Sequence, residues 1–197
     1  MKPSSPAEAQ AFDVLIVGSG LAGLSAALQL APRHRVAVLT KESLGDGASA
    51  QAQGGIAAAL AADDSFDAHL QDTLVAGAGL SDPEAVRFIV ERAPRCISWL
   101  ESLGVPFTRD GAALHLTREG GHSARRIVHA TDATGAAVQQ VLLERMLMTP
   151  GIQVFEHHLL VDLLTMPGKD GQVRCLGVQA LDIATGAAIM AGSINYQ

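Results

Sequence analysis

Apolar positions first run together without a break after Asp13, in the segment Asp13-Val14-Leu15-Ile16-Val17. A short, β-branched apolar run of this kind predicts a parallel strand covered on both faces. It leads straight into Gly18-Ser19-Gly20-Leu21-Ala22-Gly23, after which Leu24, Ala27, Leu28 and Ala31 recur at helical spacing until Pro32, which cannot continue a helix. Residues 35–39, Arg35-Val36-Ala37-Val38-Leu39, predict a second buried strand. Strand, glycine turn, helix and strand within about thirty residues make a βαβ unit.

The pattern changes over residues 45–62 to Gly, Ala, Ser and Gln around Gly54-Gly55, which predicts an ordered loop leading into a short Ala-rich helix. A helix is expected over 67–75. Ser81-Asp82-Pro83-Glu84 has capping-box spacing and opens a helix whose apolar stripe is Val86, Ile89, Val90, Ala93, Ile97 and Leu100. Pro94 is expected to kink or split that helix and Gly104 to end it. Residues 108–134 are polar with no sustained periodicity. Asp132 is placed to cap a helix carrying Val138, Val141, Leu142 and Leu147, stopped by Pro150-Gly151. Three strand candidates follow, 152–155 with 159–164, 173–181 and 187–191. The turns at 167–171 and 184–186 suggest a small antiparallel meander. Residues 1–11 read as a loose, flexible leader.

Composition narrows the partners. Of 197 residues, 48% are hydrophobic and 17% charged, enough for a sizeable core. Lys and Arg total 14 against 20 Asp and Glu, a net charge of -6, and aromatics are 4%, which argues against nucleic acid and anionic membrane. Cys96 and Cys175 lie far apart, so neither a disulfide scaffold nor a zinc knuckle is readable, and a reducing cytoplasmic setting fits. The stretch 14–31 is about as long as a membrane span. Yet it holds three glycines, Ser19, Ser25 and Gln29, and Glu8 and Asp13 stand where a secretory signal needs positive charge. A soluble protein is expected.

Four features carry chemistry. In Gly18-x-Gly20-x-x-Gly23 the first glycine permits a tight turn, the second lets a pyrophosphate approach the backbone, and the third lets helix and strand pack closely. The phosphates would rest on the N–H groups of the helix N-terminus. The motif implies a dinucleotide without saying which. The acidic residue expected to end the second strand is absent, since Thr40, Lys41 and Glu42 stand there. Lys41 suits a 2′-phosphate, a direct ribose or pyrophosphate contact, or plain solvation. In Ala48-Ser49-Ala50-Gln51-Ala52-Gln53-Gly54-Gly55, side-chain amides flank a backbone partly free of Cβ atoms, as a flat ring would require, although an ordinary turn reads the same way. Finally, Thr117-Arg118-Glu119-Gly120-Gly121-His122-Ser123 has the carboxylate, imidazole and guanidinium groups for binding a small carboxylate and moving its protons. Residue types alone favour a solvated loop with structural ion pairs. His115, His122 and His129 recur every seven residues, which in a loop puts them on no common face, and no metal-ligand pair is evident.

Together VGSGLAGLSAAL, AQAQGGIAAAL and above all TREGGHSARRIVHATDATG resemble the L-aspartate oxidases, within the succinate dehydrogenase and fumarate reductase flavoprotein superfamily, from about Phe12 to Ala191. The resemblance implies an α/β fold, a Rossmann-like FAD-binding domain with a parallel sheet plus a small antiparallel β-meander, occupying residues 12–197 and truncated before a capping domain. It implies noncovalent FAD, with Ser19, Gly20, Leu21 and Ala22 on the pyrophosphate. Lys41 stands where this superfamily replaces the acidic residue, residues 48–55 border the flavin, and Leu159 and Leu160 lie near the adenosine. Respiratory relatives attach FAD through a histidine at the position of Ala48, so no covalent link is expected. Glu119 matches the active-site glutamate near the substrate amino group.

The implied reaction is oxidation of L-aspartate to iminoaspartate in de novo NAD biosynthesis, with oxygen or fumarate as acceptor and an association with the quinolinate synthase step. Full-length relatives are more than twice as long, and the strand end expected after residue 187 reads Ala191-Gly192-Ser193-Ile194-Asn195. The chain is therefore expected to be an N-terminal part, inactive alone. The alternatives are a soluble fumarate reductase-like flavin dehydrogenase, which Ala48 and the TREGGHS segment disfavour, and an inactive truncated dinucleotide-binding module.

Overall fold

The computed structural model describes residues 10–130, 133–168 and 170–193. In chain order the first elements are β1 (Gln10–Phe12), β2 (Val14–Val17), α1 (Leu21–Leu30), β3 (Val36–Leu39), a 3₁₀ turn (Ala48–Gln51) and β4 (Ile56–Ala57). Next come α2 (Phe66–Ala76), α3 (Pro83–Leu103), β5 (Arg109–Asp110), β6 (Ala113–Leu114), β7 (Leu116–Thr117) and β8 (Ile127–Val128). The remainder is α4 (Thr134–Leu147), β9 (Ile152–Phe155), β10 (His158–Pro167), β11 (Val173–Asp182) and β12 (Ala188–Ser193). Two compact units result: the described residues up to Ala48 with those from Leu142 onward, and Ser49–Val141.

In the first unit β2, β3 and β9 form a parallel sheet with β3 central, pairing Val14 with Val36 and Val36 with Ile152. All four β3 side chains are buried, as a strand paired on both edges and covered on both faces requires. β2 departs from the same expectation: it is the sheet edge among the described residues, and Val17 is half exposed. The Arg35 N–H donates to Asp13 Oδ2 at 2.7 Å, joining the starts of β2 and β3 and lowering the Asp13 pKa. α1 buries Leu24 and Ala27.

A second sheet, in the order β1-β12-β11-β10, contains the expected antiparallel meander. One core holds Phe12, Ala37, Leu39, Val178 and Ala180, with Leu15, Phe155 and Leu160 packed against it. Two expectations are corrected here. Residues 152–155 pair with β3, not with the meander, because β9 follows a helix and a helical crossover returns a strand parallel. Residues 10 and 11, assigned to the leader, pair with β12, and the strand runs on into Phe12, whose ring meets Phe155 edge to face at 5.9 Å.

In the second unit the Ser65 hydroxyl caps α2 by accepting the Ala68 N–H at 3.1 Å. α3 is capped one residue later than the capping-box pattern suggests. Asp82 Oδ1 accepts the Glu84 N–H at 2.8 Å and the Ala85 N–H at 3.4 Å, with Pro83 in the first turn where its missing N–H costs no bond. Pro94 does not split α3, which runs unbroken until Gly104 stops it at φ +104°. Val90, Ile97 and Leu100 are buried as the stripe predicts, but Ile89 is exposed. The Ala-rich helix expected before residue 62 does not form; Ile56 and Ala57 pair with Val128 and Ile127 instead. Gly55 makes that approach possible, since a Cβ there would lie 2.4 Å from Ile127 Cγ2. α4 matches its prediction, while the capping role given to Asp132 lies outside the described residues. Neither cysteine forms a disulfide.

Leu39 is 1% exposed at the centre of the first unit's core. Leu39→Ala should cost about 2–5 kcal/mol of unfolding free energy, read as a lowered urea midpoint at unchanged m-value.

Candidate functional site

The glycine turn of the first unit is built as its residue types require. Gly18 has φ +107° and its N–H donates to Leu39 O at 2.8 Å, bringing the end of β2 against the end of β3. A Cβ on Gly23 would lie 2.1 Å from Gly18 O, so only glycine lets α1 cross that close to the strand. Gly20 is the N-cap of α1, which has no side-chain cap and no acidic residue in its first turn. Its leading N–H groups carry the helix's partial positive charge. Leu21 is half-buried and Ala22 exposed on that first turn.

At the end of β3, Ser19 Oγ donates to Thr40 Oγ1 at 3.1 Å, both residues being buried. The Thr40 N–H donates to Phe155 O at 2.9 Å, and Thr40 O accepts the His158 N–H at 2.9 Å. Thr40 thus joins β3, the glycine turn and the β9–β10 corner, a role that its place in the sequence, where an acid was expected, did not reveal. Lys41 is exposed, with Nζ 3.4 Å from Glu42 Oε1. Leu160 packs against the core, whereas Leu159 is 40% exposed. Ala48, also exposed, ends the first segment of this unit.

In the second unit Ser49 and Ala50 are half-buried, Gln51, Ala52, Gln53 and Gly54 are exposed, and Gly55 is packed against β8. Gly135, at the start of α4, backs this segment: its N–H donates to Ala52 O at 3.0 Å, and a Cβ there would lie 2.3 Å from Ser49 O.

β7 and β8 pair antiparallel, Leu116 with Val128 and Thr117 with Ile127, so residues 118–126 form a hairpin loop centred on His122. That register explains the sevenfold histidine spacing. His115 and His129 fall opposite each other and hydrogen-bond, Nδ1 to Nε2, at 2.9 Å, while His122 lies beside His69 at 5.9 Å between ring centroids. Glu119 is exposed near the tip, and its carbonyl accepts the His122 N–H. An open polar cavity of about 600 Å³ is lined by Asp63, Thr117, Arg118, Ser123, Ala124 and Arg125.

Beneath the loop, Arg126 is fully buried. Its Nε and Nη2 donate to the two Asp64 oxygens at 2.8 and 2.7 Å, and Nη1 donates to Asp72 Oδ2 at 2.6 Å. The same Asp72 oxygen accepts the Ser123 N–H and hydroxyl, each at 2.7 Å. Those Ser123 bonds, with Arg126 behind them, hold the Asp72 pKa down to about 2. Burial works against the Arg126 charge, but hydrogen bonds to Asp64 and Asp72 outweigh it and leave the pKa raised. His69 is buried with Nδ1 unpartnered, and burial, then the nearby Arg126, lowers its pKa. Asp64, His69 and Asp72 carried no sequence signal, because their partners lie more than fifty residues away. Among the described residues no group of three His, Cys, Asp or Glu side chains could hold a metal ion, and no helix is long and apolar enough to cross a membrane.

The positive-φ Gly18, the Cβ-free crossing at Gly23 and the uncapped helix start together fit the pyrophosphate of a dinucleotide. The family model described as FAD binding domain matches residues 13–194. L-aspartate oxidase 1 of Ralstonia nicotianae is 52% identical over 89% of this chain and 34% of its own length. L-aspartate oxidase of Pseudomonas aeruginosa is 48% identical over 88% of this chain and 34% of its own. The chain thus spans about a third of the length of these curated relatives. Among solved structures, an E. coli quinol fumarate reductase matches with a TM-score of 0.87 at 30% identity, over 94% of this chain and 32% of that one.

Acid should weaken the second unit in two stages. His69, with a lowered folded pKa, contributes stability that is full above pH 6.5 and is lost as pH falls through that pKa. Asp72 contributes stability present above pH 3.8 and lost as pH falls through about 2. Urea midpoints measured from pH 7 to pH 2 should show both declines, and Asp72→Asn should flatten the lower one.

Proposed function

This chain belongs to the FAD-binding domain family, and we propose that it carries the FAD-binding part of an enzyme that oxidises L-aspartate to iminoaspartate. The observation that carries the reading is the glycine cradle at Gly18 and Gly23, joined to 52% and 48% identity with L-aspartate oxidases across most of the chain. FAD, when bound, accepts the two electrons removed from the substrate. The α1 N-terminus, through Ser19, Gly20, Leu21 and Ala22, holds the pyrophosphate. Lys41 adds a positive charge at the strand end, and Leu159 offers an exposed apolar side chain to the adenosine. Ser49 to Gly55, following Ala48, border the flavin, where two glutamine amides beside glycine backbone can hydrogen-bond a flat polar ring edge. Alanine at 48 has no nucleophile, which supports noncovalent attachment.

Glu119 supplies a carboxylate for the substrate ammonium. Such a contact favours L-aspartate over succinate, which has no amino group, because a charge-assisted hydrogen bond contributes about 1.5–3 kcal/mol. Oxygen or fumarate then takes the electrons on. A place in NAD biosynthesis beside quinolinate synthase, in the cytoplasm, follows from the same reading.

The test is spectral. Purified with FAD, the protein should show flavin absorbance that moves wholly to the supernatant on acid precipitation, and Gly23→Val should be colourless. Flavin left in the pellet would overturn noncovalent attachment. In the complete polypeptide, L-aspartate should reduce the flavin anaerobically, and Glu119→Gln should lower kcat/KM for L-aspartate about tenfold or more. Reduction by succinate in preference to L-aspartate would instead support a fumarate reductase-like enzyme, the reading that the quinol fumarate reductase likeness favours.

A further inference from the structure

The loop between Thr117 and Arg126 carries Glu119 on an exposed tip, yet its base is held more firmly than a surface loop needs. Arg126 is gripped on three sides. Its backbone N–H donates to Thr117 O at 3.1 Å, its carbonyl accepts the Ala58 N–H at 2.8 Å, and its guanidinium is shared by Asp64 and Asp72. Asp64 Oδ1 also accepts the Ser65 N–H at 2.8 Å, which ties the fork to the cap of α2. Asp72, on α2, holds the returning side of the loop, taking two bonds from Ser123 and one from Arg126. The excursion 118–122 is therefore closed at its base by the backbone bond from Arg126 to Thr117, and its returning side is held by charged hydrogen bonds in which the Arg126 and Asp64 side chains are fully buried. Within it, Gly121 at φ +83° turns the chain back.

Burying a guanidinium and a carboxylate completely is costly, and hydrophobic residues of similar volume would fill the space at least as stably. What an ion-pair network adds is a defined geometry, because the planar guanidinium satisfies two carboxylates only in one orientation. We infer that Asp64, Asp72 and Arg126 are positioning residues that hold the Glu119 carboxylate where it meets the substrate ammonium. The inference rests on the role proposed above for Glu119. The triad does not touch the substrate; it acts through the loop, with Ser123 as the link.

Two readouts test it. Trypsin cleaves after Arg118 and Arg125, both exposed on the loop, and after Arg92 in α3. Asp72→Asn keeps the shape of the residue but removes its charge, and should speed cleavage at Arg118 and Arg125 at least tenfold while Arg92 stays protected. Ser123→Ala, a milder change, should act in the same direction. In the complete, FAD-loaded polypeptide, the ratio of kcat/KM for L-aspartate to that for succinate should fall about tenfold with Asp72→Asn. In a Glu119→Gln background the same change should leave the ratio where it is, since the triad works through Glu119. A purely structural role would lower both substrates alike and leave the ratio intact. Loop release with an unchanged ratio, or an equal fall in the Glu119→Gln background, overturns the inference. A wild-type protein without preference for L-aspartate overturns the functional reading and this inference with it; the two failures differ because only the second is visible before any substitution is made.

Discussion

The first unit depends on one steric contact, the crossing of α1 over the end of β2. With a would-be Gly23 Cβ only 2.1 Å from Gly18 O, helix and strand backbones touch directly, and no other residue type allows it. That contact holds the helix N-terminus at the carboxyl end of the sheet, the end where a helix dipole favours an anion. It also places Ser19 within reach of Thr40, so the turn is fastened to the central strand by a side-chain bond as well as by the Gly18 N–H. β3 can be central because each of its four side chains is apolar and buried, and because β9 arrives parallel on its far edge.

The second unit is organised by charge. Arg126 immediately precedes β8, the middle strand of a small sheet, its backbone used on both sides and its guanidinium turned to two carboxylates. An unpaired charge at that depth would titrate or force the structure open. The fork to Asp64 and the bond to Asp72 keep it ionised, and Asp72 is in turn kept ionised by Ser123. Each group thus justifies the burial of the next, and the polar loop above them inherits a fixed base.

Much of the fold was legible because its elements are locally coded. The runs at 14–17 and 36–39, the helical spacing after Gly23 and the stop at Gly104 each need only a few neighbouring residues to state their case. The misreadings share a cause. Ile56 and Ala57 look helical in an alanine-rich stretch, but pairing with β8 outweighs weak propensity. Pro94 stays within α3 because the buried face around Val90, Ile97 and Leu100 holds the helix together across one lost bond. Residues 10 and 11 look like leader until β12, at the other end of the described chain, supplies their partner.

The candidate site divides along the same line. The glycine turn could be read before folding, since the places of Gly18 and Gly23 follow from where a Cβ can fit, and residue types were enough to mark the Glu119 loop. The sequence could not pair Arg126 with Asp64 and Asp72, choose Thr40 as the junction at the strand end, or turn a sevenfold histidine spacing into one facing pair and one tip. Those depend on hairpin register and on contacts between residues far apart in the chain. Folding alone settles them, because a buried charge selects its partner by geometry and desolvation, neither of which exists in the unfolded chain.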